Sequence, residues 1–146
     1  MSARRPAPRR ESRRLALQVL YAADLAPDLP SDSAFDRVSE NFDLHPGALA
    51  FAKELVCGTL EARDAIDARI AAHARNWRLE RMAVVDRNLL RLAVHELLHT
   101  GTPTEVVIDE AVELARDFGS DRSPSFVNGV LDAVARGLRE TPGEPR

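Results

Sequence analysis

The chain predicts an all-helical bundle, on three observations. Alanine and leucine abound, whereas aromatic residues make up only 5%. That balance favours helices, because alanine and straight side chains lose little rotamer freedom there. Apolar residues recur at three- and four-residue spacing along most of the chain, the period of one helix face. No stretch sustains alternation at period two, so strands are not expected. With 146 residues a single domain of six or seven helices is expected, long enough to bury about two thirds of its unfolded surface.

Residues 1–8, MSARRPAP, carry two prolines and little apolar content and are expected to be a disordered basic arm. A first helix is predicted from about Arg9 or Ser12, with Leu15, Ala16, Val19, Leu20, Ala22 and Ala23 on one arc. Arg10, Arg13 and Arg14 lie on the opposite side, extended by Gln18 and flanked by Leu17 and Tyr21. For Tyr21 a buried ring with its hydroxyl satisfied is the preferred reading, and base stacking the alternative. Pro27 and Pro30 end this helix. Phe35, Val38 and Phe42 predict a short helix over 33–42, which His45-Pro46-Gly47 breaks. From Pro46, Leu49, Ala52, Leu55, Val56 and Leu60 form a stripe that Ile66 and Ile70 continue. Where the pattern lapses, at Asn76-Trp77, the tryptophan is expected to anchor a turn into the core.

The most apolar helix follows, with Val85, Leu89, Leu92, Ala93 and Leu97 widened by Leu90, Val94 and Leu98. So wide an arc needs neighbours on several sides, which makes Val85 to Leu98 the expected centre of the core. Gly101 is its expected stop. Thr102-Pro103-Thr104-Glu105 reads as a capping box opening the next helix, through Val107, Ile108, Ala111, Val112, Leu114 and Ala115 to Gly119. Ser123-Pro124 caps the last helix, in which Phe126, Val127, Val130, Leu131 and Val134 form the buried face and Gly137 closes it. The domain is thus expected over 9–138, followed by a disordered tail over 139–146.

Charge is distributed unevenly. The first fourteen residues hold six arginines and one acid, net +5, in a chain whose net charge is −3, so the remainder sums to −8. An acidic body with a basic arm points to a polyanion. Guanidinium groups grip phosphates bidentately and stack on bases, which suits RNA. The bland alternative is a solubilising tail. Cys57 is the single cysteine, so no intramolecular disulfide can form and a reducing compartment fits. Apolar runs fall far short of the roughly 20 residues a membrane span needs. The basic N-terminus lacks a signal peptide's apolar core and cleavage site. A cytoplasmic protein with no membrane contact is expected.

His95-Glu96-Leu97-Leu98-His99 is a literal H-E-x-x-H, the zinc motif in which two histidines ligate and the glutamate serves as base. No histidine follows His99 to complete a ligand set, and structural histidines without metal are the reading adopted. A small zinc hydrolase remains as an alternative. Cys57 lies in an apolar stripe, where an inert thiol is the ordinary reading. No phosphate-binding loop, dinucleotide fingerprint or nucleophile elbow is present, so neither catalysis nor a cofactor is expected.

Several stretches carry a resemblance. VDRNLLRLAVHELL, TPTEVVIDEAVELARDFG and SPSFVNGVLDAVAR, with RRESRRLALQVLYAADL and LVCGTL before them, occur in the order found in the NusB transcription antitermination family. The resemblance spans about residues 9–136 and is weakest over 26–48. It implies two packed helical subdomains and no catalysis, and in that family His95 occupies an ordinary helix position. It further implies a heterodimer with the ribosomal protein NusE that binds the boxA element of nascent ribosomal RNA. With other Nus factors, the heterodimer modifies the RNA polymerase elongation complex against termination. By position, RNA contacts fall on Arg9, Arg10, Arg13 and Arg14, with Glu11 and Ser12 interrupting the run, and on Arg122, Phe126 and Asn128 near the last helix. Glu80, Arg81 and Asp86 are the expected NusE contacts, although an acid at Asp86 also complements the helix dipole.

Alanine at Arg10, Arg13 and Arg14 is expected to abolish RNA binding and leave the melting temperature nearly unchanged. A homodimer that buries the arginine face would silence it. A second family reading is an RNA-targeting module like the N-terminal domain of ribosomal RNA cytosine methyltransferases; the end at Arg146, with no methyltransferase domain, argues against it.

Overall fold

The computed structural model describes residues 8–74 and 76–140; the remainder of the expected arm and tail lies outside them. All regular structure among the described residues is helical: α1 (Pro8–Leu25), α2 (Ser31–Ser39), α3 (Pro46–Glu61), α4 (Arg63–His73), a 3-10 turn (Leu79–Arg81), α5 (Val84–His99), α6 (Thr104–Phe118) and α7 (Ser123–Glu140). No described helix is long and apolar enough to cross a membrane. The chain divides between Ala62 and Arg63 into two compact units.

In the first unit, α1 packs along α3 and against α2. Leu15, Ala16, Leu17, Val19 and Leu20 are buried, as are Phe35 of α2 and Ala52, Leu55 and Val56 of α3. Five buried positions in six residues cover more than one face of α1, so this helix is a core element in its own right. Ser12, also fully buried, donates its hydroxyl proton to the Ala48 carbonyl at 2.8 Å. The residue expected only to interrupt the arginine run therefore ties α1 to the start of α3. That start forms as the sequence predicts. Pro46 takes a first-turn position, and His45 Nδ1 accepts the Ala48 N–H at 3.2 Å, satisfying one of the orphan donors of the helix.

In the second unit, α5 is the centre and packs against α4, α6 and α7. Leu89, Leu90, Leu92, Ala93 and Val94 are all buried. Arg91 clamps α5 to α4: its Nε and Nη2 donate to the two Asp67 carboxylate oxygens at 2.8 and 3.0 Å. Its Nη1 donates to Asn88 Oδ1 at 3.2 Å, and the Asn88 amide donates in turn to the Val84 carbonyl. Arg87, one turn away, donates to the Leu79 carbonyl at 3.0 Å and pins the 3-10 turn.

Several boundaries differ from the sequence reading. α2 begins at Ser31 and ends at Ser39, leaving Phe42 beyond it. The stripe from Leu49 to Ile70 is two helices, broken at Ala62 where the units divide. The capping box does not form: α6 has Pro103 at its cap, without a side-chain bond. The Thr102 hydroxyl pairs instead with that of Thr100 at 2.9 Å. Gly101 does terminate α5, adopting φ of 73°, the left-handed region open to glycine. Gly137 does not end α7, which runs on to Glu140. A Cβ at Gly137 would approach His73 Nε2 to 2.8 Å, so the glycine allows α4 and α7 to close on each other.

Candidate nucleic-acid interface

The arginines of the first unit occupy the opening turns of α1. Arg9, Arg10 and Glu11 are exposed and Arg14 is half-buried. The Arg9 guanidinium lies 4.1 Å from the centre of the Phe51 ring on α3. Such a stack orients the group and still offers its in-plane N–H donors to a phosphate. Phe51 carries no signal in the sequence, because it falls outside the apolar stripe of its helix.

Arg13 departs from expectation. It is only 5% exposed, so it belongs to the packing of the unit and alanine there will cost stability. Tyr21 departs in the other direction. It is 40% exposed rather than buried, because the arc it shares with Gln18 is left open toward the helix end.

The second unit supplies a groove of about 570 Å³ lined by Trp77, Met82, Ala83, Asp86, Ser120, Arg122, Ser125 and Phe126. A smaller groove of about 340 Å³ shares Trp77, Ser125 and Phe126 and reaches His73 and Gly129. The structure thus brings three expected residues, Asp86, Arg122 and Phe126, onto one surface feature. Asn128, two positions beyond Phe126, is exposed but lines neither groove. Two positions turn a helix by about 200°, which carries the side chain to another face. Glu80 and Arg81 are exposed on the 3-10 turn, where Glu80 approaches Arg78 at 3.9 Å.

Trp77 is the main residue the sequence misplaced. It is 53% exposed, not anchored in the core, and packs edge-to-face on Phe126 with ring centres 5.8 Å apart. The available signal was its position: the chain's one tryptophan falls where helical periodicity lapses, in a turn. Asp86 is 9% exposed, and its Oδ1 has no hydrogen-bond partner among the described residues. The local junction is fixed by close packing. A Cβ at Gly119 would come within 2.6 Å of the Ser123 Cβ, and the Ser123 hydroxyl accepts the Ser120 N–H at 3.0 Å.

The H-E-x-x-H stretch is built into α5 as packing. His95 and Glu96 are both buried, and the His95 and His99 rings lie tilted with centres 5.1 Å apart. Among the described residues no three His, Cys, Asp or Glu side chains are placed to hold a metal.

Burial pushes the His95 pKa below its ordinary 6.5; the neighbouring His99 adds to the effect and Glu96 opposes it. Below pH 6.5 the unfolded chain therefore binds a proton that the folded chain still refuses. Stability must fall as pH drops from 6.5 toward the lowered folded value. Urea unfolding at pH 7.5 and 5.5 should show a smaller loss for His95→Gln than for the natural chain. Equal losses would exclude His95 as the cause.

Comparison with known proteins agrees with the all-helical fold. The NusB family model matches residues 10–136. The transcription antitermination protein NusB of Solibacter usitatus is 47% identical over 141 residues, covering 95% of this chain and 96% of its own. That of Anaeromyxobacter dehalogenans is 49% identical over 131 residues, covering 89% and 92%. Among solved structures, T. maritima NusB superposes with a TM-score of 0.83 at 35% identity, covering 89% of this chain and 92% of that one. A structure of the antitermination factors NusB and NusE in complex with dsRNA matches with a TM-score of 0.82 at 30% identity, covering 89% and 97%. Helix order, the arginine-led first helix and a match over nearly the whole chain together place it in the NusB family.

Proposed function

We propose that the chain is a transcription antitermination factor that binds boxA-type RNA of nascent ribosomal RNA transcripts together with NusE. The pair then acts on the RNA polymerase elongation complex with other Nus factors. The observation that carries this reading is the arginine-led α1, within a chain whose relatives are antitermination proteins. The action is recruitment and needs no catalysis. It takes place in the cytoplasm, where the transcript emerges.

In this reading Arg9, Arg10 and Arg14 meet phosphates from the first unit, with the buried Arg13 packing the helix that carries them, and Arg122, Phe126 and Asn128 meet RNA from the second. Glu80 and Arg81, exposed on the 3-10 turn, face NusE; Asp86, expected beside them, is nine-tenths buried in the groove and is not part of that face. A phosphate grip is mostly blind to sequence, so base preference must come from stacking and base-edge contacts.

The test is salt dependence. If about four arginines neutralise phosphates on single-stranded RNA, log affinity should fall with log salt with a slope of about −3. A slope near zero would overturn the phosphate grip.

A further inference from the structure

We propose that the groove between Trp77 and Arg122 is a base-reading pocket, which stacks one RNA base on the indole and takes its exocyclic amino group at Asp86. The proposal rests on the RNA-binding reading above and adds a residue, Trp77, and a base preference to it.

Three observations converge on this occupant. The indole is 53% exposed, and its edge-to-face contact with Phe126, at 69° between the rings, leaves ring surface open. Asp86 lines the same groove, nine-tenths buried, with Oδ1 unpartnered among the described residues. Burying a carboxylate oxygen without a donor is costly, so a site with this feature calls for a ligand that brings one. Arg122 lines the groove as well and is exposed.

Each simpler occupant leaves one of these groups unserved. An apolar side chain from a protein would cover the indole but leave the Asp86 oxygen unpaired. A lysine or arginine would satisfy Asp86 but set a second cation beside Arg122. A nucleotide meets all three groups: a flat ring for Trp77, an amino donor for Asp86 and a phosphate for Arg122. A groove of about 570 Å³ lies within the range of small-ligand sites.

Base choice follows from the acceptor. Cytosine, adenine and guanine each carry an exocyclic amino group. Uracil carries none; its one base-edge donor, N3–H, lies between two carbonyl oxygens that would be pressed against the carboxylate. The pocket therefore selects amino-bearing bases over uracil.

Because Trp77 is the chain's only tryptophan, its fluorescence reports the pocket directly in the full-length protein. Oligocytidylate and oligouridylate of twelve nucleotides are titrated in parallel, with binding followed by anisotropy of labelled RNA and by Trp77 emission. Emission should be quenched with the same midpoint as the anisotropy change, and oligocytidylate should bind more tightly. Trp77→Ala should weaken oligocytidylate about tenfold, as expected for one lost stack, and Trp77→Phe should restore most of that loss. Asp86→Asn should narrow the preference for cytosine over uracil, a ratio that a merely structural role would leave alone.

RNA binding with unchanged emission, or with equal affinity for the two oligomers, overturns the pocket and leaves the RNA-binding reading standing. No anisotropy change with either oligomer or with boxA RNA overturns that reading itself. Quenching by NusE in the absence of RNA assigns the groove to a protein partner and overturns the proposal.

Discussion

Replacing Arg9, Arg10 and Arg14 together with alanine should lower affinity for boxA RNA by about a hundredfold or more at moderate salt, with the salt slope dropping toward about −1. Arg9 and Arg10 are exposed and Arg14 is half-buried. Ion pairs and stacks at such positions contribute little to folding, so the melting temperature should move by no more than about 3 °C. Arg13→Ala is the contrasting variant. At 5% exposure its side chain is packed into the unit, and about 2 kcal/mol of stability should go with its loss. If the triple variant binds RNA as well as the natural chain, or unfolds as readily as Arg13→Ala, the division between gripping and packing arginines is wrong. Anisotropy titration and thermal unfolding of the same preparations decide it.

The second large effect is on stability. Arg91→Ala should destabilise the second unit by about 2–3 kcal/mol, lowering the melting temperature by roughly 5–10 °C. The Arg91–Asp67 pair is bidentate, with its side chains only 11% and 24% exposed. Truncating the arginine strands the Asp67 carboxylate and also removes a donor from Asn88. The cost therefore exceeds that of a surface pair such as Arg136–Asp132, where both side chains are more than half exposed. Asp67→Ala should be similarly harmful, and the double variant little worse than either single one. Full additivity would mean that the pair holds no coupling energy.

Most of the fold was legible as periodicity. The stripes from Leu15 to Leu20 and from Leu89 to Val94 are the two cores, and His45-Pro46 and Gly101 act as the start and stop their chemistry predicts. Periodicity states which residues share an arc and is silent on what covers that arc. This is why α1, whose pattern reads as half arginine face, buries Leu17 and Arg13, while Tyr21 on the same side stays open. The same limit misplaced Trp77: bulk and apolarity argue for burial, but exposure at a turn is decided by neighbours far along the chain.

Glycine and threonine positions failed for another reason. Gly137 reads as a stop, yet its role is close approach to His73. The Thr102 hydroxyl has a local competitor in Thr100, which a capping pattern cannot register. The candidate site was half legible. Residue positions near α7 and the 3-10 turn came from family resemblance. The gathering of Asp86, Arg122 and Phe126 around Trp77 depends on how α5 and α7 pack.

Joint recognition of RNA with NusE is tested most directly by one titration. Labelled single-stranded boxA RNA and a scrambled sequence of equal composition are titrated with the full-length chain, alone and with equimolar NusE. Joint recognition predicts that the chain alone binds boxA RNA and that NusE tightens this by about tenfold or more, with a smaller gain for the scrambled RNA. Affinity unchanged by NusE, or equal for the two RNAs with NusE present, would contradict it.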